Sequence, residues 1–198
     1  RCHSKTSTNF NLKSRAKLVS LNRKKGLVYG ELIEEDGTIL YTIEVTYMVL
    51  GKSIFERMFA PFRVEENIIP TTNPYKSEPE FFDLKIEMKS CSATIGKVLP
   101  EHCPGHFNHY PALPVARLGT SMGKIGGLHF MHLNPSCKDR YLVSNAEIHA
   151  RQLVFTGEEV KFKTEIIDLN PEKGMIIRAI AYTGEHNIVA ESISNYHY

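Results

Sequence analysis

Tryptophan is absent from this sequence, and no apolar run is long enough to cross a bilayer. No charged stretch followed by an apolar one opens the chain, so we expect no leader peptide. Basic and acidic residues nearly balance, at 24 against 22, for a formal charge of +2. Such a balance does not favour a surface for nucleic acid. We therefore expect neither a membrane span nor a nucleic-acid partner.

Cysteine is also scarce, and Cys2, Cys91, Cys103 and Cys137 form no CxxC pair. A chain of 198 residues can bury enough apolar surface to fold without disulfides. We therefore expect free thiols and a cytoplasmic location. The sequence also lacks a strand followed by GxGxxG, which argues against a dinucleotide site. We expect no cofactor.

Alternating apolar and polar residues predict an α+β chain that is rich in antiparallel strands. Strands are expected within residues 15–50, 84–99, 141–165 and 174–197, with a hairpin turn at Glu35-Asp36-Gly37. A helical turn is expected over Ser53–Met58. Prolines and polar residues between 61 and 80 predict a linker. A helix is expected from about Pro114 to Lys124, since Val115, Leu118, Met122 and Ile125 recur at helical spacing and suit a core.

An internal repeat divides the chain. The segment Leu21-Asn22-Arg23-Lys24-Lys25-Gly26 matches Leu169-Asn170-Pro171-Glu172-Lys173-Gly174 at an offset of 148 residues. Similar strand patterns flank both copies, which suggests two modules, although two hairpins with a common glycine turn could match by chance. We interpret residues 1–60 as the closing strands of a first module and 81–198 as a second module. The helix of the first module is expected to precede residue 1.

The most informative segment reads Cys-Pro-Gly-His-Phe-Asn-His-Tyr-Pro-Ala-Leu-Pro over residues 103–114. It resembles the β-hydroxyacyl-carrier-protein dehydratases, in which Gly-His-Phe is followed by prolines five and eight residues after the His. Here these are Pro111 and Pro114. Residues 148–160 look like the next strand and turn of that family, so the resemblance covers about residues 84–198. It implies the hotdog fold, an antiparallel sheet wrapped around a central helix, here as a double hotdog with an incomplete first module.

The resemblance implies that His106 is the catalytic base of a dehydratase, or of the reverse hydratase. A near-neutral His can remove the proton next to a thioester carbonyl, and a helix N-terminus can polarise the carbonyl oxygen. The substrate would be an acyl thioester of acyl carrier protein or CoA. The substrate-binding residues would be Gly105, Phe107, His109, Pro114 and Val115. Homo-oligomers or paired hotdog modules are the expected assembly.

Three positions depart from that family. Thr120 replaces an acidic residue, Lys124 replaces a frequent Gln, and Val115 replaces a Gly. Since the His and the carboxylate of one site come from opposite modules in this family, the acid could lie on the first module's helix. The alternatives are a thioesterase with the same fold, or a non-catalytic subunit that binds acyl chains or serves assembly.

Several residues admit simpler interpretations. His106 could cap backbone groups in its loop, and His109 is expected to be structural or to line the substrate. His102, Cys103, His106 and His109 are ligand types for zinc, but no second group completes a site, so no metal is expected. The glycines at 119, 123, 126 and 127 predict close approach of the helix to a sheet or another helix. Basic residues could meet a phosphopantetheine phosphate, or could be a solvated surface: Arg117, Lys124, Lys138, Arg140 and Arg151.

Overall fold

A computed structural model describes residues 11–65, 80–103, 107, 109–137, 141–170 and 174–197. The chain divides into two compact units, residues 1–60 and 61–198. No helix in the described part of the chain is both long and apolar enough to cross a membrane. The described cysteines at 91, 103 and 137 are buried and form no disulfide with one another.

The first unit is a three-stranded antiparallel meander. Its strands are β1 (Lys13–Leu21), β2 (Lys25–Ile33) and β3 (Ile39–Met48), followed by a short helix, α1 (Lys52–Met58). The predicted turn between β2 and β3 forms at Asp36 and Gly37. The carboxylate of Asp36 accepts a hydrogen bond of 2.8 Å from the Thr38 amide, and Gly37 adopts φ of 91°. Glycine suits this position because a left-handed backbone strains residues with a Cβ.

The second unit is a six-stranded antiparallel sheet with one long helix. Its strands follow the order β4-β5-β7-β8-β9-β6, so that β4 and β6 form the edges. The elements are β4 (Phe82–Ile86), β5 (Cys91–Lys97), α2 (Val115–Leu133), β6 (Leu142–Ala150), β7 (Glu159–Asn170), β8 (Gly174–Thr183) and β9 (Asn187–His197). The helix therefore connects β5 to a strand on the far side of the sheet. The α+β class and the sheet around a helix were both predicted.

Helix α2 supplies the centre of the core. Leu118, Met122 and Ile125 are at most 1% exposed and pack with apolar residues of β5, β7 and β8. Val115 was also expected in the core but is 37% exposed, because it lies at the first turn, beyond the edge of this cluster. The helix extends nine residues past the predicted end at Lys124. Packing of its second half against the sheet outweighs the low helix propensity of its glycines.

Strands β7, β8 and β9 of the second unit form a meander that pairs in the same register as the meander β1-β2-β3 of the first unit. The pair Lys13–Ile33 of β1 and β2 corresponds to the pair Lys161–Tyr182 of β7 and β8. Residue numbers therefore differ by 148 between β1 and β7 and by 149 between β2 and β8. Each copy also carries a register shift at the same place in its first strand, after Leu18 in one and Ile166 in the other. Because β2 is shifted by one more residue than β1, Gly26 corresponds to Met175 and not to Gly174. The sequence match at this glycine was therefore one residue out of register.

Candidate functional site

The proline-rich segment before α2 is bound to the loop between β6 and β7. The Leu113 amide donates to the Val154 carbonyl at 2.7 Å, and the Thr156 amide donates to the Pro111 carbonyl at 3.1 Å. Ala112 forms a single β-bridge with Phe155. Gly157, with φ of 90°, makes the turn that leads into β7, and its amide donates to the Val98 carbonyl at 2.8 Å. These bonds hold the entrance to α2 in one position.

Two residues of the motif adopt left-handed backbone conformations. Phe107 has φ of 64° and His109 has φ of 62°. Such conformations cost non-glycine residues about 1–3 kcal/mol, and they concentrate at functional sites. The Phe107 side chain is 41% exposed. Gly105 and His106, the predicted base, lie outside the described residues.

His109 is tied to a segment far away in the sequence. Its carbonyl accepts from the Val64 amide at 2.9 Å, and its Nδ1 donates to the Val64 carbonyl at 3.3 Å. Nearby in sequence, Phe62 stacks on Phe155 with ring centroids 4.1 Å apart. The sequence analysis placed Phe62 and Val64 in a linker and did not predict their contacts with Phe155 and His109. The sequence signal for these contacts is that Phe62 and Val64 are apolar residues within a proline-rich, polar segment.

The beginning of α2 presents open hydrogen-bond donors. Pro114 is the buried N-cap residue and Val115 is the first helical residue. Among the described residues, none accepts a hydrogen bond from the amides of Val115 and Ala116. The positive end of the helix dipole coincides with these amides. This end of α2 can therefore polarise a carbonyl oxygen or hold an anion.

Thr120 cannot replace the carboxylate that the dehydratases have at this position. Its hydroxyl donates to the Ala116 carbonyl at 2.9 Å, one turn earlier in the helix. An aliphatic hydroxyl does not ionise near neutral pH, and this one is already engaged. Thr120 therefore supplies no general acid at this end of α2.

Burial and nearby charge perturb two titratable groups before the motif. Burial raises the pKa of the Cys103 thiol to about 12, so this thiol is a poor nucleophile. Burial, together with the charge of Arg117, lowers the pKa of His102. The His102 Nδ1 accepts a hydrogen bond of 3.1 Å from the Leu99 amide, which fixes its proton on Nε2. Within the described ranges, His, Cys, Asp and Glu form no cluster of three that could hold a metal.

No protein-family model and no curated protein sequence matches this chain. Solved structures do match. TT0310 from Thermus thermophilus has a TM-score of 0.51 at 12% identity, covering 64% of this chain and 97% of that one. A proposed esterase from Mycobacterium tuberculosis matches with a TM-score of 0.52 at 11% identity, covering 63% of this chain and 94% of the esterase. The protein smu.793 from Streptococcus mutans UA159 was solved with bound acetyl CoA. It matches with a TM-score of 0.50 at 13% identity, covering 67% of this chain and 93% of smu.793. The chain therefore has the hotdog fold.

Proposed function

We propose that the second unit binds an acyl thioester at the N-terminus of α2 and that His106 acts on it as the base of a β-hydroxyacyl-thioester dehydratase. The observation that carries this proposal is the open pair of amides at Val115 and Ala116, which directly follows the strained motif segment. Gly105, Phe107, His109 and Pro114 would line the path of the thioester to these amides.

The mechanism divides the work between the motif and the helix. His106 removes a proton from the carbon next to the carbonyl, and negative charge develops on the carbonyl oxygen. The amides of Val115 and Ala116 stabilise that charge. The C–O bond at the β-carbon then breaks, and the hydroxyl leaves as water with a proton from a general acid. Since Thr120 cannot supply that proton, we assign it to a carboxylate of the partner module.

The carrier is proposed to be CoA or an acyl carrier protein. The acetyl CoA bound to smu.793 supports the first of these. Nothing in the described residues favours an acyl carrier protein over CoA. Both carriers present the same thioester, so the chemistry at α2 is shared.

A thioesterase is the second candidate. The likeness to a proposed esterase supports it, and the open amides would serve this reaction equally. Water would attack the thioester carbonyl, with the oxyanion held at α2, and the products would be a carboxylic acid and a free thiol. The third candidate, an acyl-binding subunit without activity, is supported by the missing acid at Thr120.

The test uses His106→Ala in the full-length protein with a β-hydroxyacyl-CoA. Absorbance of the conjugated enoyl thioester and release of free thiol are followed in the same reaction. Enoyl formation should fall about 10²–10⁴-fold, because loss of one acid–base group has this effect. Thr120→Ala should have a far smaller effect. His186→Ala, in the exposed turn between β8 and β9, is the matched control and should remain active.

Each other outcome selects a different function. Full enoyl formation by His106→Ala would exclude the dehydratase mechanism. Thiol release by the wild type, lost in His106→Ala, would establish the thioesterase. Binding of the acyl-CoA with neither product would establish the acyl-binding subunit.

A further inference from the structure

The meander of the first unit has two faces of opposite chemistry. Cross-strand neighbours share a face, so the rows Leu18–Val28–Val45 and Leu21–Gly26–Tyr47 lie on one side. We call this side the apolar face. The rows Arg15–Glu31 and Lys17–Tyr29–Glu44 lie on the other side, where Arg15 and Glu31 form an ion pair of 3.1 Å.

The charged side suits water, but the apolar face does not. On the apolar face, Leu18 is 52% exposed, Leu21 58%, Ile43 60%, Val45 41% and Tyr47 40%. Scattered apolar side chains on a surface are ordinary, but a contiguous patch across three strands indicates a binding surface. A sheet with one apolar face normally buries it against another layer.

The second unit shows which layer belongs there. The shared register maps Val28, Ile43, Val45 and Tyr47 onto Ile177, Ser192, Ser194 and Tyr196. Those four counterparts are at most 4% exposed, because α2 covers them. The Tyr196 hydroxyl even donates to the Gly123 carbonyl of α2 at 3.0 Å. The same face of the same meander is therefore helix-covered in one copy and open in the other.

Neither described helix can cover the apolar face of the first unit. The core-facing side of α2 is already buried against its own sheet. Helix α1 has seven residues and buries none of them. In the repeat, α2 precedes β7, and its range is Val115–Leu133. A shift of 148 residues, the shift that relates β1 to β7, places the counterpart of α2 before residue 1.

We propose that the apolar face binds an amphipathic helix of about five turns from the segment that precedes residue 1 in the full-length polypeptide. This helix turns its apolar stripe toward Ile43, Val45 and Tyr47 and completes a first hotdog unit. The proposal does not depend on the reaction assigned to His106.

Photocrosslinking in the full-length polypeptide tests the occupant. p-Benzoylphenylalanine replaces Val45 on the apolar face, and in the control it replaces Glu44 on the charged side of the same strand. Mass spectrometry of the digest should map the Val45 crosslink to a helical segment upstream of residue 1, with at least tenfold less of it from position 44. Crosslinks between two copies, to residues 1–198, or to no protein segment would overturn the proposal. So would a natural polypeptide with no chain upstream of residue 1.

A second pair of variants measures burial of the face. In the full-length polypeptide, Ile43→Asp places a charge under the helix and should lower the melting temperature by roughly 5–10 °C. Thr46→Asp puts the same charge on the other side of β3 and should change it by less than about 2 °C. Equal shifts for the two variants would mean that the apolar face faces water, and would overturn the proposal.

Discussion

His129 is a buried histidine on α2 that no motif predicted. It is 0% exposed, and its Nδ1 lies 2.8 Å from the Thr164 hydroxyl oxygen of β7. That oxygen in turn accepts a hydrogen bond of 2.8 Å from the Cys91 amide of β5. The His129 Nε2 has no hydrogen-bond partner among the described residues. This polar row joins α2 to the strands β5 and β7 inside the core.

Burial lowers the pKa of His129, partly opposed by nearby backbone groups of Met88 and Glu87. Below the unfolded value of about 6.5, the unfolded chain binds a proton that the folded chain does not. Stability should therefore be full above about pH 6.5 and decline as the pH falls below it. Denaturant titrations between about pH 5 and 7.5 should show this decline in the wild type and a flatter profile in His129→Gln. Burial also lowers the pKa of His102, which contributes a decline of the same sign, so the profile of His129→Gln should be flatter than that of the wild type but not flat.

Two further comparisons separate His129 from other groups. Arg151 and Arg178 lower the pKa of Glu191 to about 2, so the stability that Glu191 provides is retained above its unfolded value near 4.5 and does not vary in this window. His186→Gln, in an exposed turn, should keep the wild-type profile. An unchanged profile in His129→Gln would show that another group causes the decline.

At the scale of the elements, the glycines of α2 divide into two kinds. A Cβ added at Gly126 would overlap the hydroxyl of Tyr196, which is itself fully buried. A Cβ at Gly123 would have no heavy atom within 4 Å. The close approach predicted from the sequence is confirmed at the first and absent at the second.

Gly126→Ala should therefore destabilise the fold by about 1–3 kcal/mol through overpacking, although alanine is the better helix former. Gly123→Ala is the matched control on the same helix and should stabilise by up to about 1 kcal/mol. Chemical denaturation of both variants measures the difference. Equal effects would mean that Tyr196 moves aside without cost.

The position of α2 at the centre of the second unit gives a third test. Leu118 is 1% exposed in the core, and Leu118→Ala should cost about 2–5 kcal/mol of unfolding free energy. Val115→Ala, at the exposed first turn, should cost no more than about 0.5 kcal/mol. A near-neutral Leu118→Ala in denaturant titration would remove α2 from its central role.

At the scale of the whole molecule, thioester binding should stabilise the fold. A ligand at a hundred times its Kd adds about 2.7 kcal/mol, which corresponds to roughly 5–10 °C in melting temperature for a chain of this size. A β-hydroxyacyl-CoA should produce this shift, and free CoA at the same concentration should produce less. His106→Ala should retain the shift, because the open amides of α2 remain. Equal shifts from both compounds would show that the acyl group is not recognised.

Much of the architecture followed from local patterns in the sequence. Period-two alternation predicted the meanders, because the side chains of a strand alternate between its two faces. The prolines at 111 and 114 predicted where α2 begins, since proline has no amide to donate within a helix. The motif around His106 directed attention to this end of α2. Its catalytic role stays a prediction, as does the interpretation of residues 1–60 as part of a first hotdog module.

Other features were decided only by tertiary contacts. The length of α2, the burial of His129 and the contact of Val64 with His109 depend on partners distant in the sequence, which no local pattern encodes. The same reason explains the one-residue error at Gly26, because register is set by pairing across strands and not by matching letters. The sequence alone determined which residues alternate and where the chain turns. Only the packed structure decided which faces are covered, because burial depends on what lies opposite.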